Sequence, residues 1–150
     1  MNCPCRSGEI FDLCCGRFIS HRLPAENAQQ LMRSRYSAYV LNDVEYLNET
    51  WHPDYRPAAL QPERGIRWLR LDVIAFCEQG YEATVEFEAL FLVDGRVDTL
   101  HESSRFVFEQ GRWLYTSGEM MEPTRKPFQP ARNTSCPCAS GLKFKRCCGG

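Results

Sequence analysis

Eight of the nine cysteines in this 150-residue chain stand at its two ends, at positions 3, 5, 14 and 15 and at 136, 138, 147 and 148. The ends repeat each other at an offset of 133. Residues 3–16 read CPCRSGEIFDLCCG and residues 136–149 read CPCASGLKFKRCCG, with nine of fourteen positions identical. A match that dense means one small structure built twice. Four thiols at Cys-x-Cys and Cys-Cys suit one tetrahedral zinc, because soft sulfur donors favour it over oxygen-preferring cations; Fe(II) is the alternative metal. Ser7-Gly8 and Ser140-Gly141 can supply the sharp turn after the first thiol pair. The eight intervening residues leave room for a helical turn that returns the second pair, and Phe11 and Phe144 can cover each site with apolar surface. Four protein sulfurs leave no open position for substrate, so the expected role of the metal is structural.

Disulfides are the competing use of paired cysteines. The N-terminus, Met1-Asn2-Cys3-Pro4-Cys5, has neither the charged region nor the apolar run of an export signal, and a cytosolic setting keeps thiols reduced. A bond between neighbours such as Cys14 and Cys15 would also be strained. Redox chemistry by reactive thiols is a further alternative, which duplication at both termini disfavours. A 14-residue unit has almost no core, so metal has to supply its folding energy.

Composition gives an ordinary globular domain, 43% hydrophobic, 25% charged and 12% aromatic. No apolar run approaches the roughly 18 residues of a membrane-spanning helix. From Pro24 to about Leu41, Ala28, Leu31, Met32, Tyr36, Tyr39 and Val40 recur at helical spacing, with Pro24 suited to the first turn and Asn42-Asp43 to the break. A second, short helix carries Val44, Leu47 and Trp51 on one side and ends at His52-Pro53; a loop follows from Asp54 to Gly65. The period then switches to two. Strands are predicted over 66–77, 81–93, 97–109 and 112–119, separated by Gln79-Gly80, Asp94-Gly95 and Gln110-Gly111. Helices followed by an antiparallel meander predict an α+β domain, helices packed on one face of a curved sheet.

These residues carry a resemblance. The ends resemble the SEC-C motif, the zinc-binding segment also found at the C-terminus of the SecA translocase ATPase. Cys3, Cys5, Cys14, Cys15 and Cys136, Cys138, Cys147, Cys148 map onto its metal positions. Arg6 and Ala139 depart from the pattern, which has Gly there; if that position needs positive φ, Arg6 is strained and the first site is the looser. The run Arg33-Ser34-Arg35-Tyr36-Ser37-Ala38-Tyr39, then Asp43, Tyr46-Leu47 and Thr50-Trp51-His52-Pro53, resembles the YchJ family, as do His101-Glu102, Phe106, Gly111, Trp113, Tyr115 and Gly118. The resemblance implies an NTF2-like cone over 18–122, SEC-C segments at 1–17 and 136–150, and a linker at 123–135. It implies two zinc ions, one per segment. It brings no established activity. In SecA the SEC-C segment docks the SecB chaperone, which points to a protein partner here, from the secretion, chaperone or ribosome-associated machinery.

Such cones serve enzymes, receptors and binding modules alike, so particular residues have to decide. Glu102 shares the apolar face of its strand with Leu100, Ser104, Phe106 and Phe108. It is either a pocket acid or base, or half of an ion pair with Arg33 or Arg35. His52 is a pocket candidate or a helix-end cap. The candidate pocket set is Glu102, His52, Arg35, Tyr36 and Trp51. His101 falls on the polar face and is expected in solvent; Trp68, Trp113 and Tyr115 are expected in the core, and Cys77 buried at a strand end. No nucleophile motif, phosphate loop or dinucleotide fingerprint is present.

Charge is unevenly spread. Residues 18–122 sum to −7, whereas 123–150 carry six basic side chains and no acidic one. The tail could touch RNA phosphates through Lys143, Lys145 and Arg146, or offset the −2 charge of a zinc tetrathiolate. Filling both sites takes the formal charge from −1 to −5, which disfavours general nucleic-acid affinity.

Overall fold

The computed structural model describes residues 1–61 and 64–150. A 3-10 turn (Phe11–Leu13) leads into α1 (Gly16–Ile19), α2 (Ala28–Leu41) and α3 (Val44–Glu49). Strands β1 (Arg67–Gln79), β2 (Glu82–Val93), β3 (Arg96–Glu109) and β4 (Arg112–Met121) follow, and a second 3-10 turn (Phe144–Arg146) lies near the end. The strands form one antiparallel sheet in the order β1-β2-β3-β4, the α+β meander that the periodicities predict. No helix of the described residues is long and apolar enough to cross a membrane.

Helix α2 begins later than Pro24. Asn27 is its N-cap: the Asn27 side chain accepts from the Gln30 N–H at 2.8 Å, while Gln30 Oε1 accepts from the Glu26 N–H at 2.9 Å. This reciprocal pair satisfies orphan donors that Pro24 could not have reached. The helix ends at Asn42 in the left-handed region, φ 56°. Helix α3 is capped by Asp43 and stops before Trp51. There the backbone turns to pair with β4: the His52 N–H donates to the Tyr115 carbonyl at 2.7 Å, and the Tyr115 N–H to the Thr50 carbonyl at 2.8 Å. That bridge closes the outer edge of β4, a protection free edges need. The loop expected over 54–65 is followed except at residues 62 and 63, which lie outside the described residues.

On the inner face of the sheet, Ala83, Val85, Phe87 and Ala89 of β2 and Phe106 of β3 pack against Leu31, Met32 and Tyr36 of α2. The first cysteine unit belongs to this same core, through Cys3, Cys5, Cys15, Phe18 and Ile19. Helix α1 carries the chain from that unit toward the middle domain, across the 17/18 boundary. The outer face is not left to solvent. Residues after β4 fold back over it, Phe128 pairing with Val97 and the second cysteine unit packing on Leu69, Leu90 and Val97.

This return explains two departures from the alternation. His101 is buried, not solvated: Nδ1 lies 2.8 Å from the Glu122 carbonyl and Nε2 lies 2.7 Å from Glu86 Oε2. Cys77, expected to be buried, is exposed, because the returning chain does not reach the far half of β1, where Ile74 to Gln79 are all exposed. Trp113 is in the core as expected; Trp68 and Tyr115 are partly buried beside it.

Candidate metal centres and interior cavity

The two cysteine units repeat one geometry bond for bond. In the first, the Cys3 N–H donates to the Glu9 carbonyl and the Phe11 N–H to the Met1 carbonyl, each at 2.9 Å; in the second, Cys136 and Phe144 donate to Leu142 and Thr134 at 2.8 Å. Arg6 and Ala139 both adopt positive φ, 61° and 66°, followed by Gly8 at 94° and Gly141 at 86°. The turn therefore demands positive φ on both sides of a serine, which Gly provides without strain at the second position and L-residues tolerate at the first. Since Ala139 shares the strain of Arg6, that strain does not make the first site the looser one. The closing Gly has a different reason. A Cβ on Gly16 would lie 2.6 Å from the Phe11 carbonyl oxygen, and one on Gly149 would lie 2.5 Å from the Phe144 ring.

Within each unit the four sulfurs lie within 4.8 Å of one another. Cys5 and Cys14 are 3.5 Å apart, Cys138 and Cys147 are 3.5 Å apart, and Cys147 and Cys148 are 3.8 Å apart. A zinc at 2.3 Å from four sulfurs arranged tetrahedrally sets them about 3.8 Å apart, whereas a disulfide needs about 2.05 Å. All nine cysteines are free thiols. The donor set thus fits a tetrathiolate metal and not the disulfide alternative. The Ser7 hydroxyl lies 3.1 Å from Cys14 Sγ and the Ser140 hydroxyl 3.3 Å from Cys147 Sγ, placed to donate to a thiolate. Only Cys14 and Cys147 are partly exposed; the other six sulfur residues are buried.

Crowded thiols without a metal share protons. Hydrogen bonds from Cys15 and then Cys5 hold Cys3 far below the ordinary thiol range, and the same contact with Cys3 pushes Cys15 up. In the second unit, burial opposes ionisation of Cys138, but hydrogen bonds from Ser140, Cys147 and Cys136 outweigh it and bring it to about 6; burial first, then Cys136, drives Cys148 up. One thiolate per cluster is favoured, and a metal ion has to displace the remaining protons.

The units differ in what they rest on. Cys3 Sγ lies 3.7 Å from Ser37 Oγ of α2, and Arg33 Nη1 donates to the Cys5 carbonyl at 3.5 Å. The second unit is tied to the sheet by Arg70, whose Nη1 donates to the Pro137 carbonyl at 3.3 Å. Both reach β1. Asn2, Pro4 and Arg6 of one unit and Cys138 and Ala139 of the other border a cleft of about 510 Å³ whose floor is Arg70 to Asp72. Lys143 and Arg146 are exposed on the second unit, and among the described residues neither enters an ion pair.

A separate cavity of about 210 Å³ lies between α2 and the inner face of the sheet. Of the candidate pocket residues, Arg35, Tyr36 and Glu102 line it. Glu102 is not in an ion pair. Its Oε1 accepts from Ser104 Oγ and from Tyr115 OH, both at 3.1 Å, and among the described residues no cationic nitrogen lies within 4.0 Å. Arg33 is committed to Cys5, while Arg35 donates through Nη1 to the Leu47 carbonyl at 2.8 Å and Thr50 Oγ1 at 2.7 Å. Arg35 Cζ lies over the ring of Tyr115, 4.5 Å from its centroid, and over that of Trp51 at 5.2 Å. Burial pushes Arg35 below its usual value, opposed by the surrounding tyrosines and Glu102. Burial, then the Glu102 charge, pushes Tyr115 up, so its hydroxyl stays a donor.

Trp51 and His52 do not line this cavity. Trp51 stands behind the wall, edge-on to Tyr115, its Nε1–H bonded to the Thr116 carbonyl at 3.1 Å. His52 faces the other way. Its Nδ1 accepts from the Asp54 N–H at 3.1 Å, which puts the proton on Nε2, 2.5 Å from Glu109 Oε2. It fastens a loop, because the bridge to β4 turns its side chain toward the sheet rim. Gly118 escaped the sequence reading as a site residue. A Cβ there would lie 1.6 Å from Glu102 Oε1. The signal was hidden by a bulge: Phe106 pairs with Tyr115 but Arg105 with Ser117, so Thr116 is extra and Gly118 moves to the inner face.

Comparison with known proteins agrees with this architecture. The family model described as the YchJ middle NTF2-like domain matches residues 27–118, and the SEC-C motif model matches residues 132–150. The chain is similar to a SEC-C motif-containing protein from Rhodopseudomonas palustris known from a solution structure. The two are 36% identical with a TM-score of 0.73, over 81% of this chain and 100% of that one. It is also similar to a SEC-C motif-containing protein from Psychrobacter arcticus known from a crystal structure, 28% identical with a TM-score of 0.63, over 98% of this chain and 94% of that one.

Proposed function

This chain belongs to the YchJ family, with an NTF2-like middle domain and cysteine clusters at both ends, and from that premise we propose that it is a zinc-binding interaction module that docks a protein partner. The observation that carries the reading is the second cysteine unit: a closed four-sulfur geometry with Lys143 and Arg146 exposed beside it and, among the described residues, in no ion pair. A metal that fills four protein sulfurs shapes a surface; it does not present a catalytic position. The partner is a protein of the secretion, chaperone or ribosome-associated machinery, met in the cytoplasm, where reduced thiols persist. RNA contact is confined to Lys143, Lys145 and Arg146. Zinc is the ion that suits the donor set, with iron as the competitor. Two equivalents of zinc per chain are expected by elemental analysis of protein purified without chelator. Changing Lys143, Lys145 and Arg146 to Glu is expected to remove the captured partner and keep both zinc ions; an unchanged partner set sinks the docking role.

A second reading, an enzyme or small-molecule-binding protein using the cavity at Glu102, draws on one observation. Arg35 and Glu102 line the same space without forming an ion pair. Under this reading Glu102→Gln abolishes binding or activity while the thermal unfolding midpoint is retained.

A further inference from the structure

Opposite charges that line one cavity, as the buried Arg35 and half-buried Glu102 do, ordinarily collapse into contact, because desolvation leaves each poorly compensated. Arg35 and Glu102 are prevented from doing so. The guanidinium is drawn toward the end of α3 by the Leu47 carbonyl and Thr50 Oγ1, with its Cζ over the rings of Tyr115 and Trp51. The carboxylate is held by Tyr115 OH of β4 and by Ser104 Oγ of its own strand, in room that exists because Gly118 lacks a Cβ. Tyr115 separates them, its ring face to the cation and its hydroxyl to the anion. Both groups keep hydrogen-bonding capacity in reserve. The bonds to α3 use only Nη1 of a fork with five N–H donors, and those to the carboxylate use only Oε1.

We propose that this cavity binds a small zwitterion, a molecule with an ammonium group at one end and a carboxylate at the other. The proposal rests on the second reading above and names its ligand class. A simple anion would answer Arg35 and leave Glu102 facing it; a simple cation would do the reverse. A zwitterion satisfies both fixed charges, its carboxylate on the guanidinium and its ammonium on Glu102. The walls suit the cationic end. Tyr36 and Tyr39 stand around Trp68 with ring centroids 6.2 and 6.3 Å apart, presenting π-surface of the kind that holds ammonium groups. Size restricts the class further. A cavity of about 210 Å³ is smaller than the roughly 300–1,000 Å³ of drug-sized sites, which leaves a molecule of amino-acid or betaine dimensions. Because the charges are held in place before the ligand arrives, little ordering accompanies binding.

The test uses the full metal-loaded chain, labelled with 15N, and follows the indole N–H of Trp68 by NMR. The probes are glycine betaine, L-valine and 3,3-dimethylbutanoate, which copies betaine with a neutral carbon in place of the ammonium nitrogen. Saturable shifts with betaine or valine are expected, with the neutral copy at least about ten-fold weaker. Betaine alone assigns an N-methylated ligand and valine alone an α-amino acid; either supports the proposal. Glu102→Gln keeps an oxygen acceptor for Ser104 and Tyr115 but removes the charge, and it is expected to abolish the saturable shifts of betaine and valine. Equal binding of the neutral copy overturns the zwitterion while leaving a ligand-binding cavity. No shift with any probe overturns both.

Discussion

Arg6 and Ala139 hold the same left-handed conformation at the same point of the two repeats, so backbone sterics set a side-chain preference that neither residue meets. Left-handed backbone costs an L-residue roughly 1–2 kcal/mol, part of which Gly returns through its looser unfolded chain. Arg6→Gly and Ala139→Gly are each expected to stabilise the metal-loaded protein by up to about 1 kcal/mol in chemical denaturation. A loss at position 6 alone would mean that the Arg6 side chain makes a contact worth more than the strain. Gly16 presents the opposite case. Its missing Cβ is what lets the chain pass the Phe11 carbonyl, and Gly16→Ala is expected to cost about 1–3 kcal/mol, read as a lower unfolding midpoint.

Among the elements, α2 and the segment after β4 depend on the cysteine units in different ways. The sulfurs of the first unit are part of the core under α2. Removing its metal therefore does more than release an end, which is all that the small size of the unit suggests. Cys3→Ser with Cys15→Ser is expected to raise hydrogen exchange along α2. Cys136→Ser with Cys148→Ser leaves α2 protected and exposes the outer face near Leu69, Leu90 and Val97. Equal protection of α2 in both variants would contradict the asymmetry. The segment after β4 is pinned by His101. Both of its ring nitrogens face acceptors, a carbonyl and a carboxylate, so the doubly protonated ring suits the site. The Glu122 carbonyl first, then Glu86, raises its pKa above the ordinary value. A raised folded pKa means that the contribution is complete below about 6.5, the unfolded value, and fades as pH climbs through the folded one. Exchange at residues 122–128 is expected to rise with pH beyond its intrinsic base dependence, and His101→Phe is expected to remove that excess.

The whole molecule brings its two ends to one strand. Residues 133 positions apart in the chain border a single cleft over Arg70 to Asp72, with Arg6 and Arg70 set between two centres that each carry −2 when zinc is bound. Because one thiolate per cluster is favoured before metal arrives, filling the sites has to release protons. Zinc affinity is expected to rise with pH, and binding heats measured in buffers of different ionisation enthalpy are expected to differ in proportion to the protons released. Heats independent of buffer would mean that the thiols are already ionised in the empty protein.

The repeat, the four cysteines that cluster in each copy, the hairpin breaks and the side of β3 that carries Glu102 were all legible in the amino-acid order. Each depends on spacing within one short segment, where covalent geometry and a period of two or 3.6 leave little freedom. Long-range contacts were not legible. The return of residues 122–150 over the outer face buries His101 and defeats its polar alternation; the pairing of Thr50 to His52 with β4 turns His52 away from the cavity and puts Trp51 behind its wall. A single bulge at Thr116 brings Gly118 under Glu102, and hydrogen bonds from three separate elements keep Arg35 and Glu102 apart. Periodicity says which face a residue takes. What covers that face, and which charges are permitted to meet across it, is decided only when distant segments compete for the same surface.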